Sequence, residues 1–130
     1  MKKEKCLLTD FNTERRKGID IESVKKALND LKSIKQMPGL MHCIFGELGN
    51  PSSFEVSLQN ISHSIKNIII EDNKIYGDVE ILDTQMGKVV SETYNDINQL
   101  KFGIRSTGSS PVNGVGKIVI ERIFTWDIIN

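Results

Sequence analysis

The 130-residue sequence predicts an α+β domain, in which a mostly antiparallel sheet or barrel is flanked by two helices. Apolar residues recur with helical spacing in two segments, and strand-like runs separated by polar or glycine-containing turns make up most of the rest. With 38% hydrophobic and 26% charged residues, the chain suits a soluble globular fold and is too short for two ordinary domains. We therefore predict one domain over residues 1–130, with residues 1–11 as a loose N-terminal segment.

The first helix is predicted within the segment "IDIESVKKALNDLKSI". Its apolar residues are spaced by three and four positions and form one stripe, which consists of Ile21, Val24, Leu28, Leu31 and Ile34. Asp20 is a suitable N-cap, and "MPG" at 37–39 ends the helix. The stripe predicts a helix that packs against the core.

Strands are predicted on both sides of a glycine-rich segment that begins at residue 46. "LMHCIFGEL" forms a first strand, and "IKNIIIEDNKIYGDVEIL" has the pattern of a hairpin with "EDNK" as its polar turn. These segments are apolar and β-branched, as expected for paired strands.

The C-terminal half is predicted as a second helix followed by two strands. Six apolar residues recur at helical spacing and predict a helix over about Gly87–Asn98: Met86, Val89, Val90, Tyr94, Ile97 and Leu100. "KFGIRSTGSS" is predicted as a strand that runs into a Gly/Ser loop. "VGKIVIERIFTWDII" has apolar residues on both faces, which predicts a final strand covered on both sides.

Charge and composition argue against several classes of partner. Lys plus Arg equals Asp plus Glu at 17 each, so no basic excess indicates nucleic-acid binding. No apolar run reaches membrane-spanning length, and the basic first residues are not followed by the apolar segment of a signal peptide. We therefore expect an intracellular protein without a membrane partner. Cys6 and Cys43 are expected to be reduced. His42 and Cys43 point to opposite strand faces, and we expect neither a metal site nor a cofactor.

Four segments together resemble one family of phage proteins. They are "GELGNP" at 46–51, "IYGDVEILDTQMGKVV" at 75–90, "LKFGIRSTGSS" at 100–110 and "ERIFTWDII" at 121–129. Their order and spacing are similar to those of the prohead, or capsid-maturation, serine proteases of tailed bacteriophages. The resemblance extends from Phe11 to Ile129 and implies a fold like that of the herpesvirus assembly proteases.

The resemblance implies a nucleophile position at Ser106. In the family's Ser-Ser-Arg-Gly segment the second serine matches Ser106, while Arg105 replaces the first serine and Thr107 replaces the arginine. Gly103 and Gly108 match the family, and the segment 103–108 is expected to form a loop that presents backbone N–H groups to an oxyanion. Without a base, Ser106 is equally well interpreted as one more polar residue of this segment.

The resemblance also implies that the general base is missing. The family carries a histidine in its Gly-Glu-Leu-x-His-Pro segment, and Asn50 stands in that place. A serine hydroxyl needs a base to become nucleophilic, and a carboxamide cannot accept a proton near neutral pH. Loss of the base of a triad costs about 10⁴ to 10⁶ in turnover. Alternatively, Asn50 with Pro51 caps a turn.

Two further residues are candidates for supporting roles. Asp127 lies in the closing strand, where the family has an acidic residue, and is a candidate for the orienting member of a triad. Of the two histidines, His63 is the alternative candidate for the base. His42 is eight residues before Asn50 and too far along the chain to take its place.

We expect a degenerate, histidine-lacking homologue that keeps the fold as a structural or interaction module of capsid assembly. An alternative is an active serine endopeptidase that processes scaffold and capsid proteins with Ser106 as nucleophile. A third reading is a host-directed phage protein that reuses the fold to bind a partner. The resemblance implies phage scaffold or capsid proteins as partners, with self-association as a further expectation. It implies the host cytoplasm during assembly, or the virion, as location.

Overall fold

The structure is a computed structural model that describes residues 1–13, 16–34, 43–49, 51, 53, 55–110 and 116–129. These residues form strands β1 (Lys2–Asp10), β2 (Cys43–Glu47), β3 (Ile61–Glu71), β4 (Lys74–Ile81), β5 (Lys101–Ser109) and β6 (Val119–Ile129). They also form helices α1 (Ile21–Ile34) and α2 (Gln85–Thr93), with short 3₁₀ turns at Leu58–Asn60 and Ile97–Gln99. The mixed α and β content and the two helices agree with the predicted class.

The strands form two antiparallel sheets. One has the order β1-β4-β3-β2, and the other pairs β5 with β6. An isolated parallel bridge between Leu48 and Ile128 joins the two sheets at one point. Among the described residues, hydrogen bonds that involve side chains also connect the two sheets. For example, the Thr125 hydroxyl of β6 donates to the Phe45 carbonyl of β2 at 2.7 Å. The described strands therefore do not close into a barrel, which corrects that version of the predicted fold.

The N-terminal segment is a strand and not the loose segment that we expected. β1 pairs with β4 from Lys2 opposite Glu80 to Asp10 opposite Lys74. Cys6 and Leu8 are both buried, with 4% of their surface exposed. The sequence pattern hid this strand because its first residues are solvent-facing and charged. The element order is therefore strand, helix, strands, helix, strands, and not the helix-first order of the prediction.

The predicted hairpin is present as β3 and β4. Its connection is two residues long, and both Asp72 and Asn73 have positive φ angles, of 52° and 60°. Two-residue hairpin loops with this conformation match the twist of the flanking strands, and Asp and Asn tolerate it better than most residues do. The polar turn predicted from "EDNK" is thus confirmed.

The second helix is shorter than the predicted Gly87–Asn98. α2 begins after Thr84, whose hydroxyl accepts a hydrogen bond from the Gly87 N–H, and it ends where Tyr94 becomes extended. Asp96 then caps a separate 3₁₀ turn through the Asn98 N–H. The apolar periodicity still marked residues that pack on the core, since Val90 and Leu100 are buried. The same apolar periodicity is compatible with a short helix followed by a separate 3₁₀ turn.

The core lies between the sheets and under α1. The stripe on α1 is buried at Val24, Leu28 and Leu31, while the "MPG" segment at 37–39 lies outside the described residues. Trp126 is fully buried and donates its indole N–H to the Thr9 hydroxyl at 2.7 Å. β6 is covered on both faces at residues 125–128, as predicted. Among the described residues, no helix combines the length and apolar character that a membrane crossing requires.

Candidate functional site

A buried ion cluster lies where β2, β5 and β6 meet. Arg105 of β5 is only 7% exposed and lies between two carboxylates. Its Nε donates to Asp127 Oδ2 at 3.0 Å, and its Nη2 donates to Asp127 Oδ1 at 2.6 Å. The same Nη2 donates to Glu47 Oε2 at 3.0 Å. We refer to Arg105, Asp127 and Glu47 as the ion cluster.

The ion cluster also holds the backbone that follows β2. Arg105 Nη1 donates to the carbonyl oxygens of Ser53 and Glu55 at 3.3 and 3.1 Å. The Ser57 N–H donates to Glu47 Oε2 at 3.3 Å. Arg105 is therefore the centre of a network that fixes the described part of the connection between β2 and β3.

The electrostatics of the ion cluster favour a permanent ion pair. Burial by itself would lower the pKa of Arg105, but the hydrogen bonds from Arg105 to Asp127 and Glu47 outweigh it, so the pKa is raised. Asp127 Oδ1 also accepts the Glu47 N–H at 3.0 Å, so both oxygens of Asp127 are engaged. Such a buried pair holds its geometry because separation would leave an unpaired charge in a low-dielectric site.

Ser106 follows Arg105 along β5 but belongs to neither the ion cluster nor a histidine pair. It is half-buried and lies opposite Ile123, next to a register shift in the ladder between β5 and β6. The hydrogen bonds of the ion cluster do not include the Ser106 hydroxyl. Within the described residues its hydroxyl has no hydrogen-bond partner, and the structure does not link it to Asp127 or His63.

The segment expected to form an oxyanion loop belongs to β5, and its ladder with β6 contains two register shifts. Gly103, Arg105, Thr107 and Gly108 all pair with β6, so the expected loop is corrected to a strand. Close packing against β6 explains why glycine occupies both Gly103 and Gly108. A Cβ on Gly108 would lie 2.6 Å from the Val119 carbonyl oxygen, and one on Gly103 would lie 3.0 Å from an Ile129 methyl.

His63 is fully buried in β3, and both of its ring nitrogens are engaged. Nε2 lies 2.8 Å from the carbonyl oxygen of Trp126, and Nδ1 lies 2.7 Å from the Ser62 hydroxyl. A carbonyl can only accept, so Nε2 carries the proton and Nδ1 accepts from Ser62. Burial lowers the pKa of His63, which keeps the ring neutral. The ring links the two sheets, and its partners do not include Ser106.

The "GEL" segment has a structural explanation at each position. A Cβ on Gly46 would lie 2.3 Å from both His63 Nε2 and the Trp126 carbonyl oxygen, so only glycine fits beneath that hydrogen bond. Glu47 enters the ion cluster, and Leu48 forms the bridge to β6. Gly49 has a φ of +102°. Asn50 and His42 lie outside the described residues.

Glu47 is the residue of this site to which the sequence assigned no role. The position of Glu47 at the end of an apolar strand could have indicated its role, because a carboxylate that is buried there requires a charged partner. Its partner Arg105 is distant in sequence and was interpreted only as a replacement for a serine. Among the described residues, no group of three His, Cys, Asp or Glu side chains is arranged to hold a metal ion.

The comparison with solved structures identifies a protein of similar fold. The chain superposes on the capsid assembly protease gp21 of bacteriophage T4 with a TM-score of 0.53 and 17% sequence identity. The match covers 84% of this chain and 62% of the gp21 chain, so the chain spans less than two thirds of that protein. No family model and no curated protein sequence matches the chain. At this identity the likeness concerns the fold, and this chain has a fold similar to that of a phage capsid assembly protease.

Proposed function

We propose that this chain is a phage capsid-assembly protein that keeps a protease-like fold without peptide hydrolysis and acts as a structural or interaction module. One observation carries the non-catalytic part. Asp127, the residue that would orient a catalytic imidazole, is bound through both oxygens to Arg105.

Recruitment of Asp127 for catalysis would require the ion cluster to open. Breaking a buried ion pair by removal of one partner typically costs about 3 to 5 kcal/mol, because the remaining charge stays buried. Ser106 would still lack a base, because the two ring nitrogens of His63 are bonded to the Ser62 hydroxyl and the Trp126 carbonyl oxygen and not to Ser106. A serine without an activating base is a poor nucleophile.

The capsid-assembly part is supported by the fold shared with gp21 of bacteriophage T4. Phage scaffold or capsid proteins are the proposed partners, and self-association is part of the same proposal. The proposed places of action are the host cytoplasm during assembly and the virion. A host-directed binding role is separated from this by immunoblotting purified proheads and virions of the encoding phage. Presence of the chain at stoichiometric amounts supports the capsid role, and its absence from both overturns it.

The second candidate function is an active serine endopeptidase. It is favoured by the Ser106 hydroxyl, which is half-buried and has no partner among the described residues. The deciding experiment is incubation with a fluorophosphonate probe followed by intact mass, with Ser106→Ala as the matched control. We expect no adduct on either protein and no cleavage of casein or of phage capsid proteins. Stoichiometric labelling that is lost in Ser106→Ala would overturn the non-catalytic proposal.

A further inference from the structure

An apolar groove lies between α1, β6, β2 and the segment 55–58. Its volume is about 720 Å³, which is in the range of ligand-binding pockets. Apolar side chains from all four elements line it, including Leu31, Phe45, Val56, Leu58, Ile123 and Phe124. We refer to it as the docking groove. Ser106 does not line it.

Two of the apolar side chains are unusually exposed for their size. Leu58 is 84% exposed and Phe45 is 37% exposed, although both border the same concave surface. Scattered exposed apolar residues are ordinary, but a concave cluster rimmed by charge is typical of an interaction site. The two side chains therefore mark the docking groove as a surface that a partner can cover.

The rim of the docking groove is predominantly acidic. Asp30 of α1, Glu55 and Glu121 of β6 contribute three carboxylates, and all three residues are exposed. Among the described residues that line the groove, Arg122 is the one basic residue, and its guanidinium lies 4.9 Å from the centre of the Phe124 ring. A surface of this charge attracts basic side chains and repels nucleic acid and other acidic partners.

The ion cluster holds one wall of the docking groove in place. Arg105 bonds the carbonyl oxygen of Glu55, and Glu47 accepts the N–H of Ser57. Glu55, Val56 and Leu58 line the groove along this held segment. A wall held by hydrogen bonds to buried charged side chains is preorganised, which reduces the ordering cost of binding. The acidic residue of "GEL" thus supports a surface that is distinct from the Ser106 position.

We propose that the docking groove binds a short linear peptide segment of a partner protein that combines apolar side chains with lysine or arginine. The inference rests on the interaction-module part of the proposed function. The apolar side chains of the segment would cover Phe45 and Leu58, and its basic side chains would pair with Asp30, Glu55 and Glu121. Apolar burial supplies the affinity, and the charge pairs supply the selection.

The test uses two fluorescein-labelled twelve-residue peptides measured by fluorescence anisotropy. Both contain Leu and Ile at the same positions, and one has four lysines where the other has four glutamates. We expect the lysine peptide to bind about tenfold or more tightly than the glutamate peptide at low salt, and we expect this preference to shrink at high salt.

Variants locate the binding on the docking groove. Leu58→Ser should weaken the lysine peptide about threefold or more through lost apolar contact, and Glu55→Lys should reduce the preference between the peptides by a similar factor. Glu92→Lys and Leu7→Ser alter exposed residues outside the groove and serve as controls that leave binding within about twofold. Circular dichroism melts confirm that each variant is folded.

The proposal is overturned if neither peptide binds, if both bind equally, or if Glu55→Lys and Glu92→Lys have the same effect. A dimer in light scattering that Leu58→Ser dissociates, without peptide binding, would assign the groove to a second copy and also overturn it. None of these results affects the fluorophosphonate and particle experiments. Conversely, hydrolysis dependent on Ser106 would contradict the proposed function and leave the peptide measurements valid.

Discussion

His63 of β3 donates its Nε2 proton to the Trp126 carbonyl oxygen of β6 at 2.8 Å, and this bond passes directly over Gly46 of β2. The bond connects the two sheets at a place where β2 and β6 are linked by only one described backbone bridge. The imidazole of His63 thus contacts β6 directly, and the absence of a side chain at Gly46 leaves room for this contact.

Gly46→Ala is expected to destabilise the domain. The added Cβ would lie 2.3 Å from both His63 Nε2 and the Trp126 carbonyl oxygen, so the hydrogen bond has to move. Overpacking of this kind costs about 1 to 3 kcal/mol or more, and urea denaturation should show a lower midpoint. Gly18→Ala is the control, since a Cβ there meets nothing within 4 Å. Equal midpoints for the two variants would contradict the close approach at Gly46.

Stability is expected to fall as the pH decreases below the ordinary histidine pKa of 6.5. Burial lowers the pKa of His63 in the folded state, so the unfolded chain binds more protons between the folded pKa and 6.5. The contribution of His63 is therefore complete above pH 6.5 and is lost as the pH falls towards the folded pKa.

Urea denaturation from pH 7.5 to 5.5, together with NMR titration of the His63 Cε1 proton, measures this dependence. His42→Gln provides the control for the other histidine of the sequence. A titration of His63 at or above 6.5 would show that the ring is not held neutral by burial.

Arg105 and Asp127 of the ion cluster are expected to be energetically coupled. Asp127→Asn leaves the Arg105 guanidinium with Glu47 as its remaining carboxylate, and breaking a buried pair typically costs about 3 to 5 kcal/mol. Arg105→Met combined with Asp127→Asn should be less destabilising than the sum of the single changes. A double-mutant cycle by urea denaturation should give a coupling of about 1 kcal/mol or more. Strict additivity would mean that the two side chains do not depend on each other.

Asp78 is expected to stabilise two irregular places in the sheet. Its Oδ2 accepts from the Asn67 side chain at 2.7 Å, and its Oδ1 accepts the Lys5 N–H at 3.0 Å. Lys5 and Asn67 both have a φ of 52°, and each lies at a register shift. The pKa of Asp78 is lowered from 3.8. The hydrogen bond from the Asn67 side chain has the larger effect, and the bond from the Lys5 N–H has the smaller one.

The stabilisation by Asp78 is therefore present above the unfolded pKa near 3.8 and is lost as the pH falls through the lower folded value. Asp78→Ala should speed amide hydrogen exchange at Lys5, because the acceptor of that N–H is removed. Asp83→Ala, which changes an exposed carboxylate near Lys88, should leave exchange at Lys5 unchanged. An unchanged rate in Asp78→Ala would show that the bond does not protect Lys5.

The sequence by itself determined the features that depend on neighbouring residues. The stripe from Val24 to Leu31 predicted α1 because helical periodicity is local, and "EDNK" predicted the hairpin turn because Asp and Asn tolerate positive φ. The final strand was recognised from its two apolar faces. The charged start of β1 concealed a strand because pairing with β4 outweighs local composition.

Only the tertiary structure decided the chemistry of the site. Glu47, Arg105 and Asp127 are separated by 58 and 22 positions, and no local pattern indicates that three strands bring them together. The resemblance made Asp127 a candidate for the third member of a triad, and in the fold both of its oxygens accept hydrogen bonds from Arg105. A buried charged group requires an opposite charge beside it. Which residue supplies that charge depends on the arrangement of β2, β5 and β6.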